Sequence, residues 1–265
     1  VSARLLFSAS LALLFSFPVL GAGPLIQGPQ KNLPRLEAEQ EIRITVWNIL
    51  KGEREIFKEE FSHLAKYSDL MLLQEALLTP GQQKLFSSFR EFRWVMADAW
   101  EKSGAPTGAA ALSRYKITRP QALLSRDGQP ISNTPKSSVL FEIPIQDGRT
   151  LLVVSTHAIN FTLNGPFQRQ IETLGQIIAA HQGPVLWAGD FNTWRGSRRD
   201  LLTSTAKAAG LSEIPFDPDP RHLVLDHAFV RDLTVESAAI MDAFEGSDHW
   251  PLYLEVRLKK SGASE

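Results

Sequence analysis

Val185-Leu186-Trp187-Ala188-Gly189-Asp190-Phe191-Asn192 is an apolar run that empties into an acid and an amide flanking a phenylalanine. A strand buried on both faces reads as such a run, and α/β folds build their sites where strands end. Taken alone, Gly189, Asp190 and Asn192 equally suit an ordinary turn. Outward along the chain the pattern recurs. Ile42 to Trp47 delivers Asn48, Asp69 to Leu73 delivers Gln74 and Glu75, and Leu151 to Thr156 delivers His157 and then Asn160. Leu223-Val224-Leu225 delivers Asp226, and Ser247-Asp248-His249 stands before an apolar strand, Leu252 to Leu258. Such repeated placement argues for one shared site.

Sorted by chemistry, these positions hold the carboxylates Glu75, Asp190, Asp226 and Asp248, the imidazoles His157 and His249, and the amides Asn48, Asn160 and Asn192. An oxygen-rich set with few nitrogens suits a hard cation such as Mg²⁺ or Mn²⁺. With no cysteine and no HExxH pair, a zinc site of the usual kind is not encoded. A hard cation held by one or two carboxylates leaves room for water and substrate phosphate, which points to hydrolysis at phosphorus. That reaction needs a positioned water, a base, and donors for the phosphoryl oxygens. His249 paired with Asp226 is the expected base, since a carboxylate fixes the imidazole tautomer and raises its basicity.

Trp47-Asn48, Gln74-Glu75, Thr156-His157 with Asn160, Gly189-Asp190-Phe191-Asn192, Leu225-Asp226-His227 and Ser247-Asp248-His249 together resemble the endonuclease/exonuclease/phosphatase superfamily, in the same chain order. Within it, the stretches around Asn48, Glu75, His157 and Asp190 look closest to bacterial YafD-like proteins. The resemblance covers about residues 42 to 258. It implies a four-layered α/β/β/α sandwich of two mixed sheets, DNase I-like, and a Mg²⁺-dependent phosphodiesterase. It also implies that Asn48, Glu75 and Asp248 hold the metal, that Asp190 orients or deprotonates the attacking water, and that Asn192 and Asn160 position water or phosphate. His249, paired with Asp226, would contact phosphate or act as base, and His157 would face the phosphate or leaving group. Some relatives carry a second acid two positions after Asn48; here Leu50 stands there, which weakens a two-metal reading.

A net charge of −1 over 265 residues excludes a protein that coats nucleic acid through a dominant positive field, though not a nuclease that touches few phosphates. One domain is expected over 42–258, with a tail at 259–265. Leu5 to Leu20, following Arg4 and closing on Gly21, Ala22 and Gly23, reads as a secretory signal peptide, short of the ~20 apolar residues of a comfortable membrane span. Export to the periplasm or medium is expected, with an uncleaved anchor as the alternative. Residues 23–41 read as a linker outside the core.

Helices are expected over Glu53 to Tyr67, Pro80 to Phe89 (with Gln82 on its wet side) and Phe167 to Ala180. Strands Trp94 to Ala97 and Ala109 to Leu112 are expected to flank a mobile loop, Ser103 to Gly108. A hairpin turns at Asp147-Gly148. Arg195, with Arg198 and Arg199, is a candidate grip on substrate phosphates, against a solvated helix start pairing with Asp200. Lys136 reads as solvent-exposed, Trp47 and Trp187 as core, and His227 as structural, pointing away from Asp226. Among substrates a nuclease reading leads. A sphingomyelinase-like phosphodiesterase, a small-molecule phosphatase and a non-catalytic binding protein are the alternatives. No obligate protein partner is evident and a monomer is expected.

Overall fold

The computed structural model describes residues 22–130, 132–162 and 164–259. The expected signal segment, Leu5 to Leu20, and the tail beyond Lys259 lie outside the described residues. In chain order the first half comprises β1 (Leu25–Gln27), β2 (Glu41–Asn48), α1 (Phe57–Tyr67), β3 (Leu70–Leu77), α2 (Pro80–Ser88), β4 (Arg93–Ala97), β5 (Trp100–Lys102) and β6 (Ala105–Ser113). There follow β7 (Thr118–Leu124), β8 (Ser137–Pro144), β9 (Thr150–His157), α3 (Asn164–Ala180), β10 (Val185–Asp190), α4 (Gly196–Ala208), β11 (Ser212–Glu213), β12 (Asp226–Arg231), β13 (Leu233–Ile240) and β14 (Leu252–Leu258).

Two mixed sheets result. One has the order β1-β4-β6-β3-β2-β14-β13, with β5 on β6; the other runs β11-β12-β10-β9-β8-β7. β2 and β3 are parallel, as are β9 and β10, and every other pair is antiparallel. The period of two in a strand divides each central run between two cores. Ile44, Val46, Leu70, Leu72, Leu151, Val153, Leu186 and Ala188 meet between the sheets. Trp47, Met71 and Leu73 face α1 and α2, while Leu152, Val154, Val185 and Trp187 face α3 and α4. The architecture is the expected α/β/β/α sandwich.

Four local expectations are corrected. Residues 23–41 are not an outlying linker: Leu25–Gln27 pairs with β4, and Leu36 is fully buried between the sheets, because this segment covers an edge that would otherwise stay unpaired. Ser103 to Gly108 shrinks to a turn at Ser103 and Gly104, and Ala105 onward continues as strand, held by the pairing of Trp100 with Thr107. α1 starts at Phe57 rather than Glu53, since Leu50 and Lys51 adopt left-handed φ of 44° and 62° in a 3-10 turn. Gln82 is buried and its amide donates to the Lys51 carbonyl at 3.4 Å.

Candidate active site

Asp190 ends β10, and its register partners are His157 on β9 and Asp226 on β12. Leu223 to Leu225 is not a strand: β12 begins at Asp226, and because it runs antiparallel to β10 its start lies beside the end of β10. From the other sheet, Asn48 Nδ2 reaches across to donate to Asp190 Oδ2 at 3.0 Å. The two sheets thus close on a cavity of about 380 Å³ whose wall includes Asn48, Glu75, His157, Asn160, Asp190, Asn192, Asp248 and His249. Asp226 stands behind His249, with its Oδ2 2.8 Å from His249 Nδ1.

Backbone strain shapes this wall. Glu75 has φ of 53° at an irregularity in the β3–β6 pairing between Leu73 and Ala76. Leu50, Phe161 and Asn192, with φ of 44°, 54° and 52°, also line the cavity. Each such residue costs about 1–3 kcal/mol and persists only where surrounding structure imposes it. Gly189 is required for a different reason: its φ is 147°, and a β-carbon there would sit 2.0 Å from the Thr156 carbonyl oxygen, so the close approach of β9 and β10 beside Asp190 admits no side chain.

Glu75 is approached by two ammoniums and an imidazole. Lys51 Nζ donates to Oε2, Lys136 Nζ lies 3.3 Å from Oε1, and His157 Nε2 lies 3.9 Å from Oε1. Burial works to raise its pKa, but His157, Lys136 and Lys51 override this and hold it at about 2. Burial in turn brings His157 down to about 4, with Lys136 adding to the effect. At neutral pH His157 is therefore neutral, and the two ammoniums keep Glu75 ionised.

His249 is the opposite case. Burial disfavours its charge, yet Asp226, by charge and hydrogen bond, together with Asp190 and Asp248, raises it to about 10. Its ring is an imidazolium at neutral pH, a proton donor, where the sequence reading expected a base. The remaining acceptor is Asp190. Its Oδ1 takes the Asn192 N–H at 3.0 Å, and its Oδ2 lies 3.4 Å from His157 Nε2 and 4.0 Å from His249 Nε2.

Residues 45–249 match the Endonuclease/Exonuclease/phosphatase family. The chain belongs to that family. Similar relatives include a UPF0294 protein of Yersinia enterocolitica, 34% identical over 242 residues (89% of this chain, 91% of that protein), and one of Vibrio cholerae, 35% identical (88% and 83%). Solved structures sharing the DNase I-like fold include an endonuclease/exonuclease/phosphatase of Beutenbergia cavernae (TM-score 0.65, 15% identity, 85% of this chain and 73% of that chain). The human nocturnin catalytic domain with bound sulfate (0.63, 18%, 89% and 98%) and ANGEL2, a 2',3'-cyclic phosphatase (0.66, 14%, 88% and 99%), are others. At these identities they speak to fold.

Endonuclease/exonuclease/phosphatase proteins generally use a divalent metal, and the donors here fit one. Glu75, Asp248 and the Asn48 amide oxygen bring hard oxygens to the lining of the same cavity, and the two ammoniums drawn to Glu75 mark a place that attracts cations. Among the described residues, the His, Asp and Glu ligand atoms that cluster within 4.8 Å are instead those of Asp190, Asp226 and His249. In that cluster His249 Nδ1 is already engaged by Asp226 Oδ2 at 2.8 Å, which leaves Nε2, 4.0 Å from Asp190 Oδ2, as its free ring nitrogen.

The arginines divide. Arg195, expected to bind substrate, is exposed outside the cavity wall, its guanidinium 4.3 Å from the Trp194 ring centroid. Trp194 donates to Asn160 Oδ1 at 2.9 Å, so Arg195 sits at the rim. Arg199 pairs with Glu213 at 2.6 Å and approaches His227 Nδ1 at 2.8 Å, which leaves neither for phosphate. Arg198 is fully buried. It donates to the carbonyls of Ile159, Asn192 and Thr162 at 2.8, 3.2 and 3.0 Å and so ties together the two loops that carry Asn160 and Asn192. Arg198→Met strands those carbonyls and is expected to cost about 3 kcal/mol or more, lowering the melting temperature by roughly 6–12 °C, as thermal denaturation would show.

Sequence reasoning missed Lys51 and misjudged Lys136. The signal for Lys136 was present, in its position just before β8; that for Lys51 was not, because only its left-handed backbone turns it towards Glu75.

Proposed function

We propose that this protein is a metal-dependent phosphodiesterase acting on nucleic acid. The observation that carries the reading is the division of labour between neighbours in the cavity: Asp190, a hydrogen-bonded acceptor, stands beside a protonated His249 whose Nε2 lies 4.0 Å from its Oδ2. Asp190, oriented by Asn48 and the Asn192 N–H, takes the proton of the attacking water. His249, held by Asp226 and by the Trp47 indole N–H on its own carbonyl at 2.8 Å, donates to a phosphoryl or leaving-group oxygen. Asn160 and Asn192 are available to fix the phosphate, and neutral His157 lies beside Asp190, its Nε2 3.4 Å from Oδ2. When bound, Mg²⁺ or Mn²⁺ on Glu75, Asn48 and Asp248 would supply charge stabilisation at the phosphate.

The rim favours a nucleotide chain over a lipid. Phe161 is 71% exposed on the cavity wall, and the Arg195–Trp194 stack lies close by through Asn160; aromatic faces and guanidinium groups suit bases and flanking phosphates. Few phosphate contacts are needed for this, in keeping with the net charge of −1. Export from the cytoplasm and a monomeric state complete the proposal.

The test is product release from plasmid DNA, abasic-site DNA, RNA, sphingomyelin and bis(p-nitrophenyl) phosphate with Mg²⁺, Mn²⁺ or EDTA. Metal-dependent cleavage of a nucleic acid is expected, and cleavage of sphingomyelin alone would overturn the substrate class. The pH profile tests the roles. A group raised to about 10 when folded keeps its proton up to about that pH, while the stability tied to it is full below its ordinary value of 6.5 and is lost as pH rises through about 10. Activity is therefore expected to fall on an alkaline limb near pH 10, and Asp226→Asn is expected to bring that limb down towards neutrality.

A further inference from the structure

Next to the catalytic cavity lies a second one of about 220 Å³, and Glu75, Gln129, Lys136 and His157 line both. Its far wall is formed by the β5–β6 hairpin and by the segment leading into β8. Trp100 and Thr107 are opposed in the β5–β6 register, so their side chains share a face, and both line the cavity. Thr107 Oγ1 is buried with no hydrogen-bond partner, in a residue 3% exposed. A buried hydroxyl left unpaired is unfavourable and rare in native proteins, and this one belongs to a cavity wall. Lys51 and Lys136 border the same space. Each ammonium has three N–H donors, and one apiece is engaged by Glu75, which leaves donors for a second anion. Among the described residues Glu75 is the one carboxylate on this wall.

We propose that this cavity is the subsite for the sugar phosphate adjoining the scissile bond. The ring of a pentose packs on Trp100, one of its hydroxyls meets Thr107 Oγ1, and its phosphate lies at Lys51 and Lys136. The volume is below the ~300 Å³ at which pockets begin to take drug-sized ligands, so it admits a pentose phosphate and not a base-paired or stacked segment. The assignment rests on the phosphodiesterase reading above and deepens it.

Calorimetric titration tests it without turnover, using ribose 5-phosphate, ribose, glycerol 3-phosphate and inorganic phosphate against the wild type, Trp100→Ala and Thr107→Val. Ribose 5-phosphate is expected to bind about tenfold more tightly than any of the other three. Each variant is expected to weaken it by roughly five- to tenfold while keeping the wild-type melting temperature. Ribose 5-phosphate binding no tighter than inorganic phosphate overturns the proposal, as does tighter binding of glycerol 3-phosphate or wild-type affinity in both variants. Binding as expected alongside no hydrolysis of any phosphoester in the panel supports the subsite and defeats the catalytic reading. Hydrolysis without ribose 5-phosphate binding does the reverse.

Discussion

Asp190→Asn is expected to lower turnover by about 10²–10⁴-fold, the range associated with a positioned general base, and to cost about 1–3 kcal/mol of stability, because Asn48 Nδ2 loses its acceptor Oδ2. The substituted amide keeps an oxygen for the Asn192 N–H that Oδ1 now accepts. It can no longer take a proton from water, and it removes the charge lying 4.0 Å from His249 Nε2. The measurement is single-turnover hydrolysis of bis(p-nitrophenyl) phosphate at saturating metal. A variant as fast as wild type would move the base elsewhere.

Glu75→Gln is expected to act through the cation and not through the proton. Metal affinity should drop by at least about tenfold to a hundredfold, the scale reported for even the supporting partners of metal ligands. Lys51 and Lys136 would then lose the counter-charge they share. Mn²⁺ titration followed by electron paramagnetic resonance reads the affinity directly. The two variants are told apart by adding metal: excess Mg²⁺ or Mn²⁺ should recover rate in Glu75→Gln and not in Asp190→Asn. Failure of metal to rescue Glu75→Gln, with unchanged Mn²⁺ affinity, would remove Glu75 from the metal site.

Apolar runs ending in polar residues were legible because burial on both faces writes itself into consecutive positions. Ile42 to Trp47, Leu151 to Thr156 and Val185 to Ala188 are each divided between two cores, and the repeated delivery of polar residues at such ends, with Asp69 to Leu73 and Ser247 to His249, made one shared site legible. The edges were not legible. β1 is three residues long, too short for a periodic pattern, and Leu36 lies between prolines and charges that read as a tether. Arg198 looked like a neighbour of Arg195 and Arg199, yet it is the one whose guanidinium is enclosed by backbone carbonyls.

By itself, the sequence determined the strands and the polar side chains at their ends, since both are local properties of the chain, and the ordered motifs pointed through a resemblance to the sandwich that joins them. Which of those side chains hold protons was decided only by tertiary structure. His157 and His249 are the same residue type at similar strand-end positions, but one is buried beside Lys136 and kept neutral, while the other is buried against Asp226 and kept charged. Charge state depends on desolvation and on partners far away in the chain: Lys51 meets Glu75 only when β2 and β3 pair within one sheet, and Asp226 meets His249 only when the two sheets close.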